Sequence, residues 1–158
     1  MKSRPICVVL AVLWVVTIVA VGWLFVKGWT APSGDGRTEI LLAPPERDMV
    51  LAEMRELLKA VHGVISGLGD DAQSSMRAAQ SARAAGMHMA ADADPALMAK
   101  LPLAFKQMGM SVHRDMDGLA DAITRGETSQ QILNRLAGIT ARCTTCHDMY
   151  RFGTEQRR

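Results

Sequence analysis

The chain has 158 residues, 49% of them hydrophobic, and its formal net charge at pH 7 is +2. Three of the eighteen Lys and Arg residues lie in the first thirty positions, which leaves fifteen basic against sixteen acidic side chains in residues 31–158. This balance excludes the strongly basic surface of a typical nucleic-acid-binding protein. With only three cysteines in the chain, a disulfide-rich scaffold is also excluded.

The N-terminal segment is long and apolar. Residues 6–26 carry no charge, and at about 1.5 Å rise per residue they span roughly 30 Å, the thickness of the bilayer hydrocarbon. Lys2 and Arg4 precede this run and Lys27 follows it. A cleaved signal peptide is the alternative, but its apolar core has about 7–15 residues and ends at a small-residue cleavage site. We predict a cytoplasmic N-terminus at residues 1–5, a single-pass anchor at residues 6–26 and a domain in the bacterial periplasm.

Residues 27–44 are predicted to be a linker, because TAPSGDGRTEILLAP holds two prolines and two glycines. A first helix is predicted from Pro45, with Gly67 and Gly69 as its stop. Its apolar stripe consists of Val50, Met54, Leu57, Val61, Ile65 and Leu68. A second, alanine-rich helix is predicted from Asp70 to Met89.

The last part of the chain also has helical patterns. Asp94 and Pro95 are suited to open a short helix, and Pro102 begins a long third helix that ends at residues 125–126. Thr128 and Gln131 have capping-box spacing and predict the start of a fourth helix. Its stripe consists of Ile132, Leu136, Ile139, Cys143, Cys146, His147 and Tyr150. Short connections between these helices predict an all-α fold, an antiparallel four-helix bundle over residues 45–152, with residues 153–158 as a C-terminal tail.

The chemistry lies in the sequence Cys143-Thr144-Thr145-Cys146-His147, which has the spacing of a c-type haem attachment site. Cysteines at i and i+3 lie on one face of a helix, so both thiols can bond one porphyrin while His147 ligates its iron from the same side. A thioredoxin-like pair is an alternative that needs a helix N-terminus to lower a thiol pKa, and a zinc site needs a fourth ligand. We predict one covalent haem c.

The motif extends to Cys-x-x-Cys-His-x-x-Tyr-Arg, with Tyr150 and Arg151 in the last two places. In this form, and in its helix pattern over about residues 45–152, the chain resembles the cytochrome c-prime family. The resemblance implies a single haem packed inside a four-helix bundle, with the first helix across the distal face of the iron. It also implies that Tyr150 and Arg151 contribute to the cofactor site. Homodimers through helix faces are common in that family, and the sequence leaves dimerisation open.

The resemblance leaves the sixth iron ligand open. Some family members present an apolar side chain and stay five-coordinate, whereas others present a methionine and are six-coordinate. Here the first helix offers Met54 as the candidate distal ligand, and a thioether raises the reduction potential. The alternative is that Leu57 or Leu58 stands over the iron, because eleven methionines make this residue an ordinary core filler in this chain.

Three further histidines are weaker candidates. His62 lies off the apolar stripe and is expected to be exposed. His113 is expected to be hydrogen-bonded inside the bundle, or else to reach a haem edge. Met87-His88-Met89 has the soft donors that copper(I) prefers. Arg142 and Arg151 flank the motif and are expected to pair with haem propionates or to favour the helix C-terminus.

The functional hypothesis is a membrane-anchored, periplasmic, monohaem electron carrier that serves redox partners of the respiratory chain. No acid–base pair or nucleophile stands out, so enzymatic activity is not predicted, and no nucleic acid is expected. Two alternatives are kept. One is a five-coordinate protein that binds nitric oxide or carbon monoxide, and the other is a haem-bearing assembly subunit of a respiratory complex.

Overall fold

The computed structural model describes residues 3–68, 71–91 and 94–154, which form seven helices and three strands. The helices are α1 (Ser3–Lys27), α2 (Pro44–Ser66), α3 (Ala72–Ala84), α4 (Met87–Ala91), α5 (Pro95–Lys100), α6 (Leu103–Thr124) and α7 (Ser129–Met149). The strands are β1 (Thr30–Pro32), β2 (Thr38–Leu42) and β3 (Tyr150–Thr154). The mainly helical character predicted from the sequence is confirmed, but the fold is not purely helical.

Helix α1 contains the apolar segment. Residues Ile6–Lys27 are long and apolar enough to cross a membrane, with a mean hydropathy of 2.7, and the span is not buried against the rest of the chain. It is the one such span among the described residues. A signal sequence near the N-terminus would have the same properties, so the single-pass anchor stays a prediction.

Several predicted helix starts are confirmed by their caps. The Thr128 hydroxyl accepts a hydrogen bond from the Gln131 N–H at 3.3 Å, and the Gln131 side chain accepts one from the Thr128 N–H at 2.9 Å. At the start of α5, Asp94 accepts a hydrogen bond from the Ala96 N–H at 2.8 Å. Helix α2 begins at Pro44, one residue before the predicted start.

The predicted helix over residues 70–89 is corrected to two helices, α3 and α4, with a break at Ala85 and Gly86. The carboxylate of Asp117, on α6, lies beside Gly86 where a side chain would otherwise stand, and it accepts a hydrogen bond from the Met87 N–H at 2.8 Å. The Met87 N–H therefore bonds to the Asp117 side chain and not to a carbonyl one turn earlier, as it would if α3 continued without a break. Two positions of the predicted boundaries, Gly69 and Asp70, lie outside the described residues.

Each long helix packs against the next one along the chain: α2 against α3, α3 against α6, and α6 against α7. Gly63 lies beside Ser81, and Gly67 lies beside Ala78. The contacts therefore move forward along α2 while they move backward along α3. This reversed order shows that α2 and α3 run antiparallel. Because Gly63 and Gly67 have no side chain, the two backbones approach closely.

The described residues form two hydrophobic clusters. The larger one lies between α2, α3, α6 and α7 and consists of Ala60, Val64, Ala78, Ala82, Ala85, Val112, Met116, Leu119, Ala120, Ala122, Ile123, Ile132, Leu136 and Ile139. The smaller one joins the sheet to α2, α5 and α6 and consists of Ile40, Leu42, Val50, Leu97, Leu101 and Phe105. Met54 and the motif residues Cys146 and Tyr150 pack against this smaller cluster.

The segment predicted as a linker is instead part of a three-stranded sheet. Strands β1 and β2 form an antiparallel hairpin over residues 30–42, and β2 pairs in parallel with β3, with Thr38 opposite Tyr150 and Ile40 opposite Phe152. Strand β3 covers residues that were predicted to end the last helix and to begin the C-terminal tail. The rest of the predicted tail, residues 155–158, lies outside the described residues. Ile40 and Leu42 are fully buried because the sheet packs on Phe105 and its neighbours. This burial is long-range, so local composition did not predict it.

The end of helix α1 contacts the rest of the described chain directly. Gly28 follows it with φ of +66°, and the Trp29 N–H donates to the Lys100 carbonyl at 2.7 Å. The Lys106 ammonium, which is buried, donates to the Met98 carbonyl at 3.1 Å and to the Phe25 carbonyl at 3.5 Å. A cation at the carbonyl end of a helix is favourable, so Lys106 stabilises the docking of α1.

Substitution Gly28→Ala is expected to lower the free energy of unfolding by about 2 kcal/mol or more, because an alanine at positive φ is strained. Its Cβ would also meet the Lys100 carbonyl oxygen and would lie 2.6 Å from the Pro102 nitrogen. Thermal unfolding of the full chain in detergent measures this effect. The control is Gly34→Ala, whose Cβ would meet open space. Equal stability of the two variants would contradict the docked junction.

Candidate functional site

Over the described residues, α2 and α7 do not pack closely against each other, and the space between them is an apolar cleft of about 430 Å³. We call it the α2–α7 cleft. Its α2 wall consists of Leu51, Met54, Arg55, Leu57, Leu58 and Val61. Its α6 floor is Val112 and Met116, and its α7 wall consists of Ile139, Thr140, Cys143 and His147. This volume lies within the range of about 300–1,000 Å³ that is common for ligand pockets.

A smaller cavity of about 120 Å³ lies next to the cleft, on the side of the sheet. We call it the rim cavity. It is lined by Arg37, Leu51, Met54, Phe105, Cys146, His147, Tyr150, Arg151 and Phe152. Leu51, Met54 and His147 line both spaces, so the cleft and the rim cavity are neighbours between α2, α7 and β3. We refer to the two together as the site.

The motif lies in the last two turns of α7. Cys143 lines the cleft, Cys146 lines the rim cavity, and His147 lines both, all from one face of the helix. Both cysteines are free thiols and half-buried, and His147 is exposed. Two thiols one helical turn apart, an imidazole on the same face and an apolar cleft beside them fit a flat, apolar group attached covalently.

The two motif thiols are stabilised in their neutral form. Burial raises the pKa of Cys143 above its usual range, and burial together with the neighbouring Cys143 raises the pKa of Cys146 to about 11. A reactive Cys-x-x-Cys pair has a thiol pKa lowered by a helix N-terminus or a cation. Here the pair lies near the C-terminus of α7, so the thioredoxin-like alternative loses its chemical basis.

Met54 lies on the α2 wall, across from His147, and is half-buried. Met49, on the same helix, is 49% exposed and does not line the site. Leu57 and Leu58 share the wall with Met54, and Leu58 is 69% exposed. Met54 and His147 thus line the same two spaces, and the leucine alternatives lie in the same cleft. Methionine ligation of a haem iron stays a prediction.

Arg37, in the turn before β2, is a site residue that the sequence analysis missed. Its guanidinium donates to Asp35 at 2.9 Å and 2.6 Å, and its Nη1 donates to the His147 carbonyl at 3.3 Å. It lines the rim cavity although 110 residues separate it from His147. No local sequence signal marks it, because the parallel pairing of β2 with β3 brings it to the motif.

The other predicted motif neighbours lie in different places. Tyr150 packs edge-on against Phe105, with ring centroids 5.4 Å apart, in the rim cavity. Arg151 also lines the rim cavity and pairs with Glu39 at 3.3 Å. Arg142 pairs with Asp115 in a separate groove between α6 and α7, so of the two flanking arginines Arg151 is the one that reaches the site.

His113 is fully buried and lines a separate cavity rather than the cleft. Its Nδ1 lies 2.8 Å from the Ala85 carbonyl and its Nε2 lies 2.8 Å from Glu53 Oε1. Burial disfavours the charged ring, but these two hydrogen bonds outweigh burial and raise the pKa of His113. The predicted hydrogen-bonded histidine is confirmed.

The remaining candidates do not join the site. His62 is exposed, as predicted, and lies 3.4 Å from the Ser66 hydroxyl. His88 is exposed on α4 between half-buried Met87 and Met89, and copper binding there stays a prediction. Within residues 3–68, 71–91 and 94–154, no three His, Cys, Asp or Glu side chains converge as a metal site.

Comparison with known proteins adds no relative. No family model matches the chain, and neither a curated protein nor a solved structure matches it. The functional conclusion therefore depends on the residues of the site and on their geometry.

Proposed function

We propose that the chain is a monohaem c-type cytochrome that transfers single electrons. In this proposal one haem c is bound covalently through Cys143 and Cys146 in the α2–α7 cleft, with His147 as its proximal ligand and Met54 as its distal ligand. The helices α2, α3, α6 and α7 then form a four-helix haem bundle of the cytochrome c-prime type. The carrying observation is that Met54 and His147 line both the cleft and the rim cavity, with Cys143 in the first and Cys146 in the second, between helices that do not pack closely against each other.

The lining of the site supports this proposal. Leu51, Leu57 and Val61 supply an apolar α2 wall, and Val112 and Met116 supply an apolar floor. An apolar, partly closed site disfavours water at a buried group and strengthens electrostatic interactions inside it.

Bound haem supplies a one-electron couple, and the chain supplies ligation, burial and orientation. His147 holds its imidazole on the α7 side of the site, and Met54 presents a thioether from α2. Because both side chains come from helices already packed in the larger cluster, little reorganisation accompanies a change of charge in the site. Arg151 lines the rim cavity as a donor for acidic groups of the cofactor.

The proposal places α1 in a bacterial inner membrane and the remaining helices and the sheet in the periplasm, beside respiratory redox partners. The length and hydropathy of Ile6–Lys27 support the membrane span. The direct docking of α1 through Gly28 and Lys106 keeps the domain near the bilayer, which raises its effective concentration near membrane partners.

The distal ligand is tested with Met54→Ala in the full chain, expressed with covalent haem. Optical spectra of the ferric protein are expected to lose the methionine-to-iron band and to become high-spin, because no other thioether lines the distal wall. Met49→Ala, an exposed methionine on the same helix, is the matched control and should leave the spectrum unchanged. If the wild type is already high-spin and binds carbon monoxide readily, methionine ligation is wrong.

A second candidate function follows from the same wall. Leu51, Leu57 and Leu58 also line the cleft, and a leucine over the iron would give the five-coordinate protein that binds nitric oxide or carbon monoxide. The spectra of Met54→Ala and of the wild type separate the two functions. Migration of the solubilised chain with other proteins would favour the assembly-subunit alternative.

A further inference from the structure

The hairpin formed by β1 and β2, residues 30–42, contacts the backbone of the motif histidine. Arg37 Nη1 donates to the His147 carbonyl at 3.3 Å, while Asp35 holds the rest of the guanidinium at 2.9 Å and 2.6 Å. The His147 carbonyl is one of the last four of α7, which have no helical partner of their own. Arg37 thus supplies a hydrogen-bond donor to a carbonyl at the end of α7, and this carbonyl belongs to the residue proposed as the iron ligand.

The sheet holds this contact in place. Strand β2 begins directly after Arg37 and pairs in parallel with β3, which begins three residues after His147. Arg151 adds a second connection, because its guanidinium lies 3.3 Å from Glu39 and 3.5 Å from Asp35. The hairpin therefore contacts both sides of the point where α7 ends.

The Asp35–Arg37 pair alone is a weak source of stability. Its side chains are 41% and 36% exposed, and ion pairs at such positions contribute little because solvent screens them. A guanidinium that also donates to a helix-terminal carbonyl has a different consequence, since it fixes the position of that backbone. The charge of Asp148, next to His147, adds attraction for Arg37.

From this geometry we propose that the Asp35–Arg37 pair is a positioning element for His147: it holds the end of α7 so that the imidazole keeps one orientation toward the haem iron. The inference rests on the proposed haem function. It makes the hairpin next to the anchor a part of the haem site, although the hairpin lies outside the region that carries the cytochrome c-prime resemblance. Arg37 acts through the backbone of His147 and does not itself ligate iron.

The test uses the full chain with covalent haem and the variant Arg37→Gln. The Tyr150 amide, which donates to the Cys146 carbonyl in the last turn of α7, is expected to exchange its hydrogen about tenfold faster, the effect of losing about one net hydrogen bond. The electron paramagnetic resonance signal of the ferric protein is expected to broaden or split, because the imidazole then samples several orientations. Arg37→Lys should restore part of both effects, since an ammonium can still donate to the His147 carbonyl.

The matched control is Arg135→Gln. Arg135 is also an exposed arginine paired with a carboxylate, Glu127 at 2.7 Å, but it lies near the other end of α7. Arg135→Gln should leave both the Tyr150 amide exchange and the electron paramagnetic resonance signal unchanged. Unchanged Tyr150 exchange in Arg37→Gln overturns the inference whether or not haem is bound, and faster exchange with an unchanged resonance signal overturns the link to His147. A wild type without covalent haem overturns the proposed function itself.

Discussion

Replacing Cys143 and Cys146 by serine is expected to abolish covalent haem attachment completely, because a hydroxyl does not form the thioether that holds a c-type haem. The measurement is the mass of the full chain and haem staining of the denatured protein. The double variant is also expected to unfold at lower temperature, since a ligand that binds only the folded chain stabilises it. Without that ligand, the apolar walls of the α2–α7 cleft have no partner.

The third cysteine provides the matched control. Cys7 lies in α1, is exposed there and is far in sequence from the motif, so Cys7→Ser should carry haem in the same amount as the wild type. The single variants Cys143→Ser and Cys146→Ser should each retain one bond at most and release the cofactor more easily. A double serine variant that keeps covalent haem would show that the motif is not its attachment site.

Substitution His113→Ala is expected to lower the free energy of unfolding by about 1–3 kcal/mol, because it leaves the carbonyl of buried Ala85 without its side-chain hydrogen bond. The Glu53 carboxylate is partly exposed, so solvent weakens the contribution of its charge. The ring is fully buried and joins three helices, because it contacts Glu53 on α2 and Ala85 at the end of α3 from its own place on α6. Both ring nitrogens face acceptors, so both hydrogen bonds are made only when the ring is protonated. Denaturant titration of the full chain in detergent measures the free energy of unfolding. His113→Gln should have a stability between those of the wild type and His113→Ala, because the glutamine amide keeps a hydrogen-bond donor.

The effect of His113 depends on pH in a defined direction. Its pKa is raised in the folded chain, since the hydrogen bonds to Glu53 and Ala85 and the nearby charge of Asp117 outweigh burial. Its contribution is therefore full below the unfolded pKa of about 6.5 and is lost as pH rises through the higher folded pKa. Lys106 lines the same cavity, and its ammonium has the same positive charge as the protonated ring. The difference in stability between wild type and His113→Ala should thus shrink above about pH 6.5.

His62→Ala is the control for both measurements. This histidine is exposed on α2, with Ser66 at 3.4 Å as its contact, and its removal should change stability by no more than about 0.5 kcal/mol. A pH dependence of equal size in the two variants would contradict the role of His113 as a buried connector.

The helices were predictable because their signals are local. A cap such as Thr128 with Gln131 involves residues only three positions apart. The apolar spacing of α6 and α7 is likewise a pattern that repeats every three or four residues. The break between α3 and α4 was missed, because Asp117 of α6 causes it from 31 positions away in the sequence. The strands were missed for the same reason: residues 38–42 have no alternating pattern that requires a sheet until β3 and Phe105 cover them.

By itself, the sequence determined which residue types the candidate site can use: two cysteines and a histidine in adjacent turns of one helix, an apolar N-terminal segment, and a methionine on the helix that follows the sheet hairpin. These are matters of residue type and short spacing, which covalent geometry and helix periodicity decide. Only the tertiary structure decided that Met54 lies across a cleft from His147 and that Arg37 contacts the motif. Such contacts depend on which helices leave a gap and which strands pair, and those choices are made by packing over the whole chain.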